Sequence, residues 1–202
     1  MRRQPVRTGR PVLAGPRLRL RPLRASDVSE EYLEWLNDPE VTRYLEVGAR
    51  RSTPRTVRAY LQRFHRSRTD FIFAVIERQS GRHIGNVTIN RIHPVHGTAD
   101  TGLMIGRKDL WGQGYASEAW SLVLHHAFGD LGVRKIVATV VAENGRSLGA
   151  LKTLGFQVEG VCRQERRVDG AYRDVVRLGL FREAFERATA GRAQAVAVGA
   201  SR

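Results

Sequence analysis

The chain of 202 residues is 42% hydrophobic, enough for one well-buried core but short for two, so we expect a single domain. Its formal net charge of +14 is typical of proteins that bind nucleic acid. The distribution argues against that function, because ten arginines fall in residues 1–21 and 187–202, which contain no acid, and residues 22–186 carry a net charge of only +4.

The cysteine content and hydropathy predict a compartment. Cys162 is the only cysteine, which excludes a disulfide framework and a thiolate metal cage and indicates a reducing environment. No apolar run approaches the roughly 18 residues of a membrane span, and the first residues lack the apolar segment of a secretion signal. We therefore predict a cytoplasmic protein with no membrane partner. His93 and His96 are interpreted as loop residues rather than metal ligands, because no carboxylate or thiol lies at ligand spacing.

Both ends of the chain are predicted to be flexible. Residues 1–16 are rich in Arg, Gly and Pro, and residues 187–202 carry three arginines and no acid, so we expect solvated tails around one domain over residues 17–186. A basic tail that instead favours an anionic partner such as a ribosome would bind it with a steep dependence on salt.

The first half of the domain is predicted to contain four strands and two helices. Residues 17–22 alternate with period two and form the first strand. Ser26 or Asp27 should cap a helix that ends at residues 37–39, and Thr53-Pro54 should open a second helix through about His65. Residues 70–77 and 83–92 are predicted to form a hairpin, with a further strand at residues 99–105.

The second half is predicted to alternate helices and strands. We expect a helix over residues 115–128, a buried strand over residues 135–141 and a short helix over residues 144–154. A closing hairpin of residues 156–168 and 171–181 should turn at Asp169-Gly170.

The segment over residues 103–119 is the most informative, because an apolar strand runs into a glycine-punctuated loop that opens onto a helix. Gly112 and Gly114 let the backbone approach a ligand, and a helix start leaves the amides of residues 113–116 unpaired, which predicts an anion site. The loop lacks the Lys-Ser/Thr ending of a P-loop, and with Gly106 the glycines do not have G-x-G-x-x-G spacing, which disfavours ATP and dinucleotides. From this loop alone, a tight turn without a ligand is an equally good interpretation.

Several short motifs follow one another in a recognisable order over about residues 17–183. They are Asn37-Asp-Pro-Glu-Val41, His83-Ile-Gly-Asn86, Trp111-Gly-Gln-Gly-Tyr-Ala116, Ala116-Ser-Glu-Ala119, Asn144-Gly-Arg-Ser147, Leu154-Gly-Phe156 and Asp169-Gly-x-Tyr172-x-Asp174. Their order resembles that of the GCN5-related N-acetyltransferases (GNAT), and particularly the ribosomal-protein N-terminal acetyltransferase (Rim-type) branch. The resemblance implies an α/β (mixed α+β) fold with a central, mixed but mostly antiparallel sheet flanked by helices.

The resemblance also implies acetyl-CoA as co-substrate and no metal. The implied cofactor-binding residues are Met104, Ile105 and Gly106 for the pantetheine arm, Gly112, Gln113, Gly114, Tyr115 and Ala116 for the diphosphate, and Asn144 and Ser147 beside the arm. A splayed strand suits such an arm, because its unpaired N–H and C=O groups can bind amides as a sheet edge binds a peptide. Asn144 and Ser147 are equally explained as caps of the following helix. Trp111 stands where the family usually has Gln or Arg.

Direct attack of an amine on the thioester requires a leaving-group donor and a base. Leu151 occupies the position where many relatives have a tyrosine acid, so Ser147 is the best remaining hydroxyl for the thiolate. Asp100 and Glu118 are the candidate bases. Each has a structural alternative, a strand-end hydrogen bond for Asp100 and favourable helix-start electrostatics for Glu118, and a water relay is the third account.

The acceptor stays open between a protein N-terminus and a small amine such as an amino sugar. The segment that shapes the acceptor site in such folds contains three aromatic and four acidic residues here, Trp35, Tyr44, Tyr60, Glu34, Asp38, Glu40 and Glu46. A non-enzymatic alternative is a CoA-sensing or ribosome/RNA-binding module that keeps the CoA cradle. A homodimer is compatible with either function.

Overall fold

The computed structural model describes residues 11–199, with side chains through residue 190. The strands are β1 (Leu13–Ala14), β2 (Leu18–Pro22), β3 (Phe71–Glu77), β4 (His83–His93), β5 (Thr98–Ile105), β6 (Lys135–Val141), β7 (Gln157–Val168) and β8 (Ala171–Phe181). The helices are α1 (Glu30–Asn37), α2 (Pro39–Thr42), α3 (Pro54–Arg66), α4 (Tyr115–Gly129), α5 (Gly145–Thr153) and α6 (Arg182–Gly199). Within the described range, no helix has the length and apolar character needed to cross a bilayer.

The strands form one eight-stranded sheet in the order β1-β2-β3-β4-β5-β6-β8-β7. Neighbours are antiparallel except β5 and β6, which run parallel and pair only from Thr98↔Lys135 to Asp100↔Val137. Beyond Asp100 the two strands separate, so the sheet opens into a split at its centre. The expected mixed, mostly antiparallel sheet flanked by helices is confirmed.

Apolar side chains on the two faces of the sheet build separate cores. On one face α4 and α5 cover β2 to β6 and β8, and on the other face α1 and α3 cover β3 and the end of β5. The helix α3 shows how the sequence specifies this packing, since Val57, Leu61 and Phe64 are buried on one side. Its predicted start is confirmed, because Thr53 accepts a hydrogen bond from the Thr56 amide and Pro54 occupies the first turn.

The first helix begins later than predicted. Ser29 caps α1 by accepting a hydrogen bond from the Tyr32 amide, whereas residues 25–27 form a 3₁₀ turn. The carboxylate of Asp27 is already engaged by Arg21, at 2.7 Å to each oxygen, and by the Arg24 amide. Because Arg21 of β2 already occupies this carboxylate, Asp27 does not cap the helix, and Ser29 caps α1 instead.

The boundaries of the predicted tails also require correction. β1 pairs with β2 through Leu13↔Leu20, and Leu13 packs against the core, so residues 13–16 belong to the domain. At the other end α6 starts at Arg182, buries Phe185 in its first turn and runs to Gly199, so residues 187–199 are helical. The remainder of the predicted tails, residues 1–10 and 200–202, lies outside the described residues. Cys162 is an exposed residue of β7.

Candidate active site

A groove of about 460 Å³ opens at the central split of the sheet. One wall, the α4 wall, consists of Leu103, Met104, Ile105, Leu110, Trp111, Gly112, Gly114, Tyr115, Ala116, Ser117 and Trp120 together with Asn144, Arg146, Ser147, Ala150 and Thr153 around α5. The opposite wall, the α2 wall, consists of Glu40, Val41, Tyr44 and Leu45. The structure therefore brings most of the predicted site residues together in one place.

The start of α4 is an anion site made by the main chain. Gly112 and Gly114 have φ values of 77° and 82°, in the left-handed region that glycine adopts freely. The first helical hydrogen bond runs from the Glu118 amide to the Gly114 carbonyl at 3.1 Å, and no side chain caps the helix. The amides of residues 115–117 therefore precede that bond and are available to an anion.

Arg17 reinforces the positive character of the loop. Its Nη1 donates to the Gln113 carbonyl at 2.9 Å, and its guanidinium carbon lies 4.4 Å from the centre of the Tyr115 ring. The side chain of Gln113 donates to the Asp109 carbonyl, so Gln113 does not line the groove and only its main chain remains a candidate contact.

The free edge of β5 faces the groove through alternate residues. The Gly106 amide donates to the Ile84 carbonyl at 2.9 Å, and hydrogen-bonding direction alternates along a strand. The main-chain groups of Leu103 and Ile105 therefore point away from β4 and into the split, whereas those of Met104 pair with β4. Met104 contributes its side chain to the groove, and Leu103 is an edge residue that the sequence analysis missed.

Gly106, a predicted cofactor-binding residue, is not among the residues that line the groove. A Cβ at this position would lie 2.0 Å from the ring of Trp35, which is buried in the core under α1. The glycine thus serves close packing between β5 and α1. Its contact with the cofactor stays a prediction.

Trp111, which stands where the family usually has Gln or Arg, has a structural role at the end of β5. Its Nε1 donates to the Ile105 carbonyl at 2.8 Å, and its ring packs against both cores. The guanidinium carbon of Arg146 lies 5.2 Å from the Trp111 ring. The indole therefore fixes the end of β5 and places a cation at the rim of the groove.

Asn144 and Ser147 lie together on the α4 wall. The Ser147 amide donates to Asn144 Oδ1 at 3.2 Å, so Asn144 is the helix cap that the sequence left as one of two interpretations. Both residues also line the groove, and the Ser147 hydroxyl remains a candidate donor. Leu151 is fully buried and belongs to the core.

Glu118, one of the two candidate bases, has both carboxylate oxygens engaged by residues 17 and 18. One carboxylate oxygen accepts the amides of Arg17 and Leu18, at 2.8 and 3.0 Å, and the other accepts Arg17 Nε at 2.8 Å. Glu118 does not line the groove. It fastens the start of β2 to α4, a structural role in which its acceptor positions are occupied.

Asp100 is also remote from the groove. It lies in the paired part of β5, opposite Asn90 and Val137, and forms an ion pair with Arg91. Four residues separate it from Met104, which corresponds to about 13 Å along a strand. Asp100 is therefore not among the residues that line the groove, and its role as a base stays a prediction.

The acceptor segment predicted from the sequence is divided by the fold. Tyr44 and Glu40 line the groove, whereas Trp35 is buried and neither Tyr60 nor Glu34 is among the lining residues.

Three of the four acids of this segment are paired with cations. Lys108 Nζ lies 2.8 Å from Asp38 and 3.0 Å from Glu40, and Arg166 lies 3.0 Å from Glu46. The hydrogen bond from Lys108 holds the pKa of Asp38 below its usual range. The α2 wall therefore combines apolar side chains with compensated charges.

Tyr115 is held in its protonated form at the start of α4. Its hydroxyl donates to Glu77 Oε1 at 2.6 Å, and this hydrogen bond, with burial, raises the pKa of Tyr115. Hydrogen bonds from Ser80 and Tyr115 lower the pKa of Glu77. The pair anchors α4 to β3 and leaves the Tyr115 ring to support Arg17. Within residues 11–190, no three potential metal ligands come together.

Comparison with known families and proteins agrees with this geometry. The model of the acetyltransferase (GNAT) domain family matches residues 17–157. An uncharacterized N-acetyltransferase, p20 of Bacillus licheniformis, is 30% identical over 176 residues, covering 84% of this chain and 95% of that protein. The spermidine N(1)-acetyltransferase of Escherichia coli is 30% identical over 105 residues, 52% of this chain and 56% of that enzyme. The ribosomal-protein-serine acetyltransferase of Escherichia coli is 32% identical over 92 residues, 46% of this chain and 51% of that enzyme.

Solved structures share the fold at lower identity. RimJ of Mycobacterium smegmatis, in complex with CoA-disulfide, superposes with a TM-score of 0.76 at 22% identity, covering 91% of this chain and 96% of that chain. Spermidine N-acetyltransferase of Vibrio cholerae, in complex with CoA and spermine, has a TM-score of 0.76 at 23% identity, covering 84% and 98%.

Proposed function

The chain belongs to the acetyltransferase (GNAT) family and is an acetyl-CoA-dependent N-acetyltransferase, and from this premise we propose that its acceptor is the α-amino group of a protein or peptide. This acceptor is the one handled by the Rim-type branch that the sequence motifs resemble. Two features of the groove support the proposal, namely the charge balance of the α2 wall and the bases that the groove offers.

The α2 wall suits a single amine better than a polycation. A polyamine carries several ammonium groups, each of which needs a carboxylate that is not already neutralised. Glu40 is the only acid among the lining residues, and Lys108 already pairs with it at 3.0 Å. Arg146 adds a positive charge to the rim. Together with Val41 and Leu45, these residues favour an amine followed by an uncharged or apolar chain.

The lack of a free carboxylate in the groove is the observation that carries the proposal. A primary alkylamine has a pKa of about 10.4, so it is almost entirely protonated at neutral pH and depends on a strong base. An α-amino group has a pKa of about 8 and loses its proton more easily. Asp100 and Glu118 lie elsewhere, and Lys108 holds Glu40. An acceptor that loses its proton readily to water therefore fits this site best.

The residues present fit the coenzyme. The amides of residues 115–117 would hold the diphosphate, and the edge of Leu103 and Ile105 would hold the amides of the arm. When bound, the coenzyme supplies an activated acetyl thioester. Ser147 would donate a hydrogen bond to the departing thiolate, and the α2 wall would orient the amine and exclude water.

Acetylation of matched substrates tests the proposal. We expect the protein, given acetyl-CoA, to acetylate a short Ser-initiated peptide at its α-amine, located by mass spectrometry. A peptide of the same sequence with a blocked N-terminus and an internal lysine is the control, and spermidine is the competing small amine. The rate should rise with pH as the α-ammonium group of the peptide loses its proton. Faster acetylation of spermidine or of the lysine side chain would contradict this acceptor, and thiol release with neither would leave a small amine such as an amino sugar.

A further inference from the structure

Trp120 carries a buried donor that the protein itself does not use. The residue lies on α4 one turn after Ala116, on the same face, and both line the groove. Its side chain is buried, with 4% exposed, and within the described residues its Nε1 has no hydrogen-bond partner. Buried polar groups are normally paired, because an unpaired one has lost its water without compensation.

The other tryptophan of the groove provides the contrast. Trp111 Nε1 donates to the Ile105 carbonyl at 2.8 Å, so that indole is satisfied within the chain. Two indoles therefore border one groove, one paired and one unpaired. Since an indole N–H is only a donor, the partner that Trp120 lacks must be an acceptor atom.

The position of Trp120 along α4 indicates which part of the ligand supplies that atom. The diphosphate site lies at residues 115–117, and Trp120 is about 4.5 to 7.5 Å further along the helix axis at 1.5 Å per residue. Trp120 lines the groove together with Ile105 and Ala150. A neutral donor at this depth matches an amide carbonyl of the arm rather than a charged phosphate oxygen.

We propose that Trp120 binds the pantetheine arm, with its indole N–H donating to an amide carbonyl of the bound coenzyme. This inference rests on the coenzyme placement described under the proposed function. It makes Trp120 a cofactor-binding residue that completes its own hydrogen bonding only in the complex.

The test combines Trp120→Phe with a fragment of the coenzyme. The variant removes the N–H and keeps an aromatic ring, so we expect CoA to bind about threefold to tenfold more weakly by calorimetry, the effect of one neutral hydrogen bond. Adenosine 3′-phosphate 5′-diphosphate, which lacks the arm, should bind both proteins equally. Without ligand Trp120→Phe should lose less stability than Trp111→Phe, because both leave a cavity but only the second breaks an existing hydrogen bond.

A spectroscopic readout on the unaltered protein accompanies the variants. With ¹⁵N-labelled tryptophan, the indole signal of Trp120, assigned from Trp120→Phe, should move downfield when CoA binds and stay in place with the fragment.

Equal CoA affinity in Trp120→Phe, or an equal loss with the fragment, would overturn the assignment to the arm. Failure of the unaltered protein to bind CoA would instead overturn the proposed function, so the two results are distinguishable.

Discussion

The two walls of the groove are built in different ways. The α4 wall offers main-chain groups, namely the amides at the start of α4 and the edge of β5, whose directions follow from the glycines and the split sheet. The α2 wall offers side chains, and their directions depend on partners such as Lys108 and Arg166 from distant parts of the chain. A wall of main-chain groups is specified locally, whereas a wall of side chains is specified by tertiary contacts.

This difference predicts how substitutions act. A change on the α4 wall should alter binding of acetyl-CoA through backbone geometry, and a change on the α2 wall should alter the choice of acceptor through charge and packing. The following experiments break or sharpen that contrast, beginning with the largest expected effect.

Gly106→Ala should damage both walls at once. The new Cβ would lie 2.0 Å from the Trp35 ring, so β5 or α1 must move, and we expect a loss of about 3 kcal/mol in the free energy of unfolding, at the upper end of overpacking effects. Urea unfolding measures it. Gly102→Ala is the matched control on the same strand, because its Cβ would meet Thr88 Oγ1 at an ordinary 3.4 Å. Equal stability of the two variants would contradict the packing role of Gly106.

Asp27→Asn should weaken the anchor of α1 in a pH-dependent way. Burial raises the pKa of Asp27, but hydrogen bonds from Arg21 and the Arg24 amide lower it further, and the net pKa lies below the usual value. The folded state therefore favours the carboxylate, and its contribution is present above the unfolded-state pKa of about 3.9 and lost as pH falls through the folded-state pKa.

We accordingly expect Asp27→Asn to cost about 2 kcal/mol at pH 7 and progressively less as the pH falls through the lowered folded-state pKa. Unfolding curves at several pH values measure this difference. Asp109→Asn, which alters an exposed pair with Arg107, should cause no measurable change. A pH-independent cost for Asp27→Asn would show that its charge is not what stabilises α1.

Gly114→Ala should act on the α4 wall alone. An alanine at a φ of 82° is strained by about 1–2 kcal/mol, and relief of that strain would turn the amides of the loop, so we expect the KM for acetyl-CoA to rise about tenfold. Steady-state kinetics with a saturating acceptor measure it. Gly129→Ala, at the end of the same helix, meets nothing within 4 Å and should be neutral. A change confined to the acceptor KM would contradict the cradle.

Ser147→Ala should lower kcat by about tenfold while leaving the KM for acetyl-CoA nearly unchanged, because a donor to the thiolate acts mainly as charge develops. Thr189→Ala is the control, since that hydroxyl donates to the Phe185 carbonyl within α6 and the residue does not line the groove. An unchanged kcat would mean that Ser147 contributes only to the start of α5, where its amide donates to Asn144.

Lys108→Met should have the smallest effect and should act only on the α2 wall. Removal of the ammonium frees Asp38 and Glu40, so the KM for spermidine should fall by less than about fivefold, as expected for exposed charge pairs. The KM for acetyl-CoA should not change. The effect should fade at high salt, and a salt-independent change would indicate lost packing instead.

The sequence predicted those elements whose signals are local. Thr53-Pro54 started α3 as expected, and Asp169-Gly170 turned the last hairpin, with both residues at positive φ. The start of α1 was misplaced because Arg21 occupies Asp27, a contact between separate elements. The short α2 was missed because four residues give no periodicity.

The same distinction applies to the site. The glycines of the cradle predicted amides that the fold does bring to the groove. The pairing of Glu118 could not be predicted because its partner, Arg17, lies 101 residues earlier in the chain, and no local pattern reveals that contact. Trp120 was missed because an unpaired indole is defined only by its three-dimensional surroundings.

The separation of β5 from β6 also affects which molecules can pair with the free edge of β5. An unpaired strand at the rim of a sheet invites other polypeptides to join it, but this unpaired segment lies in a notch between two strands of the same sheet. The notch disfavours the docking of another sheet, whereas a slender molecule with spaced amides can enter it. Because this selection relies mainly on main-chain groups, substitutions in the α2 wall can change the acceptor while the donor substrate stays the same.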